Sequence, residues 1–345
     1  MTKITAMSLL ILFLPALLNC ANPSDKIGIF VTPGKPNDPY YEISSREAMD
    51  ILKGNASTIW ILESWKSIET APGIYDWNSV DERVDAAVRN GFNTGLRLQL
   101  VLCGNDNNHR FVALSRIPGF VDQDMGSAGF RNAAERFFSA AAKRYKGRAK
   151  YIAVGNSVNN YFEKYPAQWE GFKSSYNGIV DAIHAAAPGM LIISDVNSAE
   201  KEAAPGKYLK FFGGSKDDAV GLVFYFIVKA YYGDFKNFNT ATMERVLDGI
   251  HEITGKDLFI IETSCFSVNP KNGKDMVKVQ SGYVDMLFNC AAEKEYLLGI
   301  SWWQLYDARD LPGVPWDEKA SFGLFESGKN PKLSWETWKK RYSGK

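Results

Sequence analysis

Histidine and cysteine are scarce in this 345-residue chain, with three of the first and four of the second. His109, His184 and His251 show no ligand spacing, and a zinc site needs three or four converging donors, so no metal is expected. Setting Cys20 aside leaves Cys103, Cys265 and Cys290, an odd number that cannot complete a disulfide framework. Buried thiols are the expectation. Net charge is also lacking: 40 basic and 39 acidic residues leave a formal +1, which gives no electrostatic footprint for nucleic acid or an acidic polymer. No Gly-rich phosphate loop follows the first strand-like run, and no cofactor is expected. No linker, internal repeat or low-complexity segment marks a second domain.

What the chain does have is a core: 46% of its residues are hydrophobic, enough at this length for one large domain. The N-terminus reads as a targeting segment, with Lys3 followed by an apolar run from Met7 to Leu18, too short to span a bilayer comfortably. The run ends Leu17-Leu18-Asn19-Cys20, which resembles a bacterial lipobox, although Asn19 stands where Gly, Ala or Ser is usual. Residues 1–19 are thus expected to be a lipoprotein-type signal peptide and Cys20 the lipidated mature N-terminus, with residues 20–345 forming the domain. The resemblance implies an exported lipoprotein at the outer membrane, in the periplasm or on the cell surface, held to membrane by its acyl chains. The alternative is an ordinary secretory signal in which Cys20 is incidental.

From Lys26 onward, short β-rich apolar runs alternate with helical patterns, the mark of parallel strands joined by crossover helices. Strands are expected at 27–32, 58–62, 94–102, 151–154, 191–195, 220–226, 258–262 and 300–305. Helices are expected at 44–52, 79–90, 130–145, 167–186, 207–212, 242–254, 277–293 and 334–342. Eight such units make a single-domain α/β protein of the (β/α)8 TIM-barrel class; an open doubly wound sheet is the alternative and normally has fewer strands. Chemistry in such barrels sits at the C-terminal ends of the strands. In the third strand Leu96, Leu98, Leu100 and Leu102 share one face, and Arg97, Gln99 and Cys103 share the other. The leucines must meet helices, so Arg97 and Gln99 point inward, and Glu63 at the end of strand two is the expected partner for the charge.

Several segments together resemble clan A of the glycoside hydrolases, retaining (β/α)8 enzymes, over nearly the whole mature chain. Trp65-Lys66-Ser67-Ile68-Glu69-Thr70-Ala71-Pro72-Gly73-Ile74-Tyr75-Asp76-Trp77 is similar to the clan's segment after strand two, where a Pro-Gly turn and an aromatic anchor precede a helix; Glu69 reads as structural. Strand four ends Gly155-Asn156-Ser157 where the clan has Gly-Asn-Glu, and strand seven ends at Glu262. The resemblance implies that Glu262 is the nucleophile and that Asn156 bonds the hydroxyl beside the anomeric carbon. It also implies that Tyr225 orients the nucleophile, that Trp303 floors the sugar subsite with Trp302 beside it, and that the partner is an oligo- or polysaccharide. Phe322-Gly323-Leu324-Phe325-Glu326 and Asn330-Pro331-Lys332 are similar to the clan's ending. Tyr225 and Trp303 could equally be barrel filling.

Ser157 breaks the pattern, because it occupies the place of the acid/base glutamate. A serine hydroxyl cannot serve as a proton donor near neutral pH, and general acid assistance is worth roughly a hundred- to ten-thousand-fold in rate. Leaving groups that depart without protonation would escape the deficiency. Another carboxylate could also reach in, with Asp195 ending strand five and Glu163 after strand four as candidates. Two readings follow, a retaining glycosidase with weak or specialised hydrolysis and a catalytically inactive surface lipoprotein that binds glycan or a host ligand. The anchoring expectation has a direct check. Mass spectrometry of the mature N-terminus should show Cys20 carrying lipid, and an unmodified cysteine or cleavage elsewhere rules it out.

Overall fold

Eight runs of this chain are apolar on both faces, which is what a parallel strand needs when it is sandwiched between a barrel interior and a layer of helices. The computed structural model describes residues 23–30, 45–105, 111–198, 205–225, 237–269, 272–307, 321–326 and 330–344. In it the eight runs become β1 (Ile27–Phe30), β2 (Thr58–Ser64), β3 (Asn93–Gln99), β4 (Tyr151–Val154), β5 (Leu191–Asn197), β6 (Ala219–Val223), β7 (Asp257–Thr263) and β8 (Leu297–Trp302). Each pairs in parallel with its sequence neighbours, and β8 pairs with β1 to close the barrel. The outer layer holds α1 (Ser45–Leu52), α2 (Asn78–Arg89), α3 (Ala128–Tyr145), α4 (Ala167–Ala186), α5 (Pro205–Gly213), α6 (Thr240–Thr254), α7 (Val277–Glu293) and α8 (Leu333–Tyr342). This is the single-domain (β/α)8 barrel. The signal segment with Cys20 lies outside the described residues.

Strand alternation sorts the core into two clusters. Ile59, Ile61, Leu96, Leu98, Ile152, Val154, Leu258 and Ile260 face the helices, while Trp60, Tyr151, Ala153, Ile193, Val223, Phe259 and Ile261 fill the barrel. The interior is plugged by rings: Trp60 stacks on Tyr151 at 6.0 Å between centroids, and Phe259 meets them edge-on at 5.3 and 5.2 Å. Bulk on one strand requires its absence on the neighbour. A Cβ on Gly95 would lie 2.6 Å from the Trp60 ring, and one on Gly299 would lie 2.4 Å from the Phe259 ring.

The third strand is shorter than its apolar pattern. The expected run to Leu102 is divided, with β3 ending at Gln99 and an antiparallel hairpin of Val101–Asn105 with Phe111–Ser115 beginning two residues on. The reason is loss of neighbours. Gln99 pairs with Ser64, the last residue of β2, and Leu98 pairs with Val154, the last of β4, so backbone groups further along can be satisfied only by the chain folding back on itself. Cys103 therefore falls in the hairpin and not at a barrel strand's end. Cys265 and Cys290 are free and buried.

The segment after β2 shows what its motif residues do. Glu69 is buried, and it accepts from Trp65 Nε1 at 2.5 Å, from the Gly73 backbone N–H at 2.7 Å and from Arg136 Nη2 at 3.2 Å. Trp65 and Trp77 each stack on Phe137 of α3, at 5.1 and 5.9 Å. Gly73, at φ +73°, takes the left-handed conformation that closes the turn at little cost for glycine. Glu69 thus ties an anchor ring to a turn, the structural role its motif implied. Glu69→Ala should cost on the order of 3 kcal/mol in urea unfolding, since a buried donor left unsatisfied costs about 1–3 kcal/mol; a change under half that would place the segment's stability in the rings alone.

Candidate active site

Three irregularities at the C-terminal ends of the strands bring the polar residues together. By alternation from Tyr151 and Ala153, Asn156 would face the helices, but Gly155 at φ +109° turns the chain, and Ser157 follows at φ 50°, ψ 48°. The short helix Val158–Lys164 then starts, pinned to β5 by Asn159, which donates to the Asn197 carbonyl and accepts from the Asn197 N–H at 2.9 and 2.8 Å. In β7 the ladder to β6 runs Leu222 to Ile260 and then Val223 to Glu262, and the ladder to β8 runs Ile260 to Ile300 and then Thr263 to Trp302. One extra residue sits in β7 after Ile260, a bulge. Ile261 fills the barrel, and the bulge sends Glu262 to the mouth as well, where alternation alone would have turned it outward. Thr263 resumes the outer face and hydrogen-bonds Tyr283 of α7 at 2.6 Å.

Arg97 on β3 is fully buried at the centre of this group. Its Nε donates to Asp195 Oδ2 at 2.6 Å, its Nη2 to Asp195 Oδ1 at 3.0 Å and to Asn156 Oδ1 at 2.8 Å, and its Nη1 to Glu262 Oε2. Burial works against its charge, but the carboxylates of Asp195 and Glu262 outweigh burial and hold the guanidinium more firmly protonated than in water. The second Glu262 oxygen accepts from Tyr225 Oη at 2.5 Å. Burial, and then the adjacent carboxylate, push the Tyr225 phenol well above its ordinary range, so it remains a donor. The expected partnership of Arg97 with Glu63 is corrected. Glu63 shares the outward parity of Ile59 and Ile61 and pairs instead with Arg83 of α2, at 2.9 Å.

Asn156, Ser157, Tyr225 and Glu262 therefore sit together at the mouth, and Trp303 is half-buried against the barrel-interior cluster. Trp302 does not join them. It shares the outward parity of Ile300, is fully buried, lies edge-on to Trp338 of α8 at 6.3 Å and donates from Nε1 to the Phe322 carbonyl at 2.9 Å. Phe322 and Phe266, half-buried and stacked at 4.2 Å, extend from Tyr225, with Phe322 6.1 Å from its ring. Phe322 lay only within the closing motif, and no local signal marked it as part of this rim.

Neither candidate substitute for the acid is free. Asp195 has no exposure, and its oxygens accept from Arg97 and from the Ser157 backbone N–H at 2.8 Å. Glu163 is held against α5 by Tyr208 Oη at 2.7 Å and Lys207 Nζ at 3.0 Å, and these, Tyr208 first, keep its carboxyl below the usual range. The Ser157 hydroxyl makes no hydrogen bond to another described residue, and no cluster of three metal-ligating side chains occurs among the described residues.

No family model matches the sequence, and no curated protein matches it. Solved structures do match in shape. They include a family 39 glycoside hydrolase from Bacteroides cellulosilyticus WH2, with TM-score 0.67 and 16% identity, covering 93% of this chain and 64% of that one. Xylanase 10B from Thermotoga petrophila RKU-1, in complex with xylobiose, has TM-score 0.67 and 16% identity over 93% of this chain and 95% of that one. A GH5_18 variant from Streptomyces cattleya, in complex with Manb1-4GlcNAc, has TM-score 0.72 and 14% identity over 92% of this chain and 80% of that one. The barrel is one that glycoside hydrolases share. Identities this low carry the fold and no more, and the chain spans under two thirds of the family 39 enzyme's length.

The two adjacent tryptophans of this barrel should separate on mutation. Trp302→Ala should lower stability by about 3–5 kcal/mol in denaturant titration, the usual cost of emptying a buried aromatic site, and Trp303→Ala should cost clearly less. Equal losses would place Trp303 in the core.

Proposed function

We propose that this chain is a carbohydrate-active protein of the clan A type, with a retaining site in which Glu262 is the nucleophile and the proton donor is missing. The observation that carries the reading is the placement of Glu262 between Arg97 Nη1 and Tyr225 Oη, with Asn156 on the same guanidinium. In this reading Glu262 attacks the anomeric carbon, Arg97 and Tyr225 orient it and balance its charge, Asn156 bonds the neighbouring sugar hydroxyl and Trp303 stacks on the ring. Xylobiose and Manb1-4GlcNAc, bound by two of the similar structures, indicate the kind of oligosaccharide to try first. Without a donor at Ser157 the reaction is confined to leaving groups that depart as stable anions, and ordinary glycosides are hydrolysed weakly or not at all.

A second reading is supported by the engagement of Asp195 and Glu163 elsewhere: a surface lipoprotein, anchored through Cys20, that binds glycan or a host ligand without cleaving it. Stacking of a sugar on Trp303 needs no acid, since it draws on apolar burial at about 25 cal/mol per Å².

Ser157→Glu should raise hydrolysis of unactivated glycosides by roughly a hundredfold or more, the range general acid help supplies. In the parent protein, azide should accelerate turnover of an aryl glycoside, because serine leaves room and removes a charge that would repel an anion. A folded, sugar-binding Ser157→Glu that stays inactive, together with azide-insensitive rates, would leave the binding reading standing. Loss of oligosaccharide affinity in Trp303→Ala, measured by calorimetry, marks the platform in either case.

A further inference from the structure

Asp195 lies on the inward row of β5, next to its end, and is fully buried. Its Oδ2 takes the Arg97 Nε–H and its Oδ1 takes both the Arg97 Nη2–H and the Ser157 backbone N–H. The two-point grip fixes the plane of the guanidinium, and with it the directions in which Nη1 reaches Glu262 and Nη2 reaches Asn156. The bond to Ser157 holds a non-glycine residue at φ 50°, in a region that costs energy and persists only where surroundings over-determine it. One carboxylate is therefore bonded both to the backbone where a proton donor would stand and, through Arg97, to the carboxylate that would attack.

We propose that Asp195 is a positioning residue that couples the two halves of the site. It holds the left-handed turn at Ser157, and it aims Arg97 so that Glu262 is presented to the sugar at a fixed angle. It also takes up part of the Arg97 charge. With Asp195 neutral, the guanidinium binds Glu262 more strongly and ties up the lone pair needed for attack. The catalytic consequence rests on the retaining-site reading; the hold on the Ser157 turn does not.

The test compares the full-length parent with Asp195→Asn, and with Asp195→Glu, which keeps Arg97 paired should the amide variant fail to fold. The first measurement is hydrogen exchange at the Ser157 amide, which should quicken in the variants. The second is labelling by 2-deoxy-2-fluoro glycosyl fluorides of glucose, mannose and xylose. Here a Glu262 oxygen bonds C1 as the C1–F bond breaks and fluoride leaves with the electron pair, adding one fluorosugar to the peptide that carries Glu262. Labelling should slow by about a hundredfold, the loss that follows a displacement of about 1 Å at a reacting group, while affinity for xylobiose and Manb1-4GlcNAc changes little. Unchanged exchange and unchanged labelling overturn the proposal, and so does slowed labelling matched by an equal loss of sugar affinity. A parent that takes no label defeats the retaining-site reading alone, and exchange at Ser157 then decides for or against Asp195.

Discussion

A single buried guanidinium organises the mouth of this barrel. Arg97 rises from β3, and its bonds run to the ends of β4, β5 and β7, so three strand ends that are far apart in sequence are cross-linked through one planar group. A charge so placed is tolerable only while it is fully paired, because breaking a buried pair by removing one partner costs about 3–5 kcal/mol. Glu262 and Asp195 therefore permit the barrel to close with an arginine inside it.

The lower interior solves a different problem. Trp60, Tyr151 and Phe259 fill the barrel beneath the polar group, and Gly95 and Gly299 give way to two of those rings. This solid plug leaves the C-terminal rim as the place where chain irregularities can be used. The turn at Gly155, the extra residue in β7 and the hairpin after β3 all occur there. At the rim, parallel neighbours run out, and each strand must change direction or find new partners.

Neither carboxylate weighed as a substitute acid at Ser157 is free. Asp195 lies at hydrogen-bond distance from the Ser157 backbone but is consumed by Arg97, and Glu163 is turned away to Lys207 and Tyr208. Under the proposed reading, a well-held carboxylate at Glu262 and a neutral hydroxyl at Ser157 suit sugars whose leaving groups need no proton, or binding alone.

Alternation of apolar residues was enough to place all eight strands and eight helices of the barrel, because burial on both faces leaves a parallel strand little choice of neighbours. The resemblance to clan A pointed to Asn156, Ser157, Tyr225 and Glu262, and the structure brings those four together. What local pattern could not decide was direction and partnership. Glu63 and Trp302 sit at strand ends where polar or aromatic residues invite a functional reading, yet their parity sends both to the helix side. Glu262 has outward parity as well and reaches the mouth only through a bulge whose existence depends on the registers of β6 and β8. The pairing of Arg97 with Asp195, 98 positions later in the chain, has no local signature. Hydrophobic period is a property of neighbouring residues, whereas the partner of a buried charge is set by which strand ends closure of the barrel brings within reach.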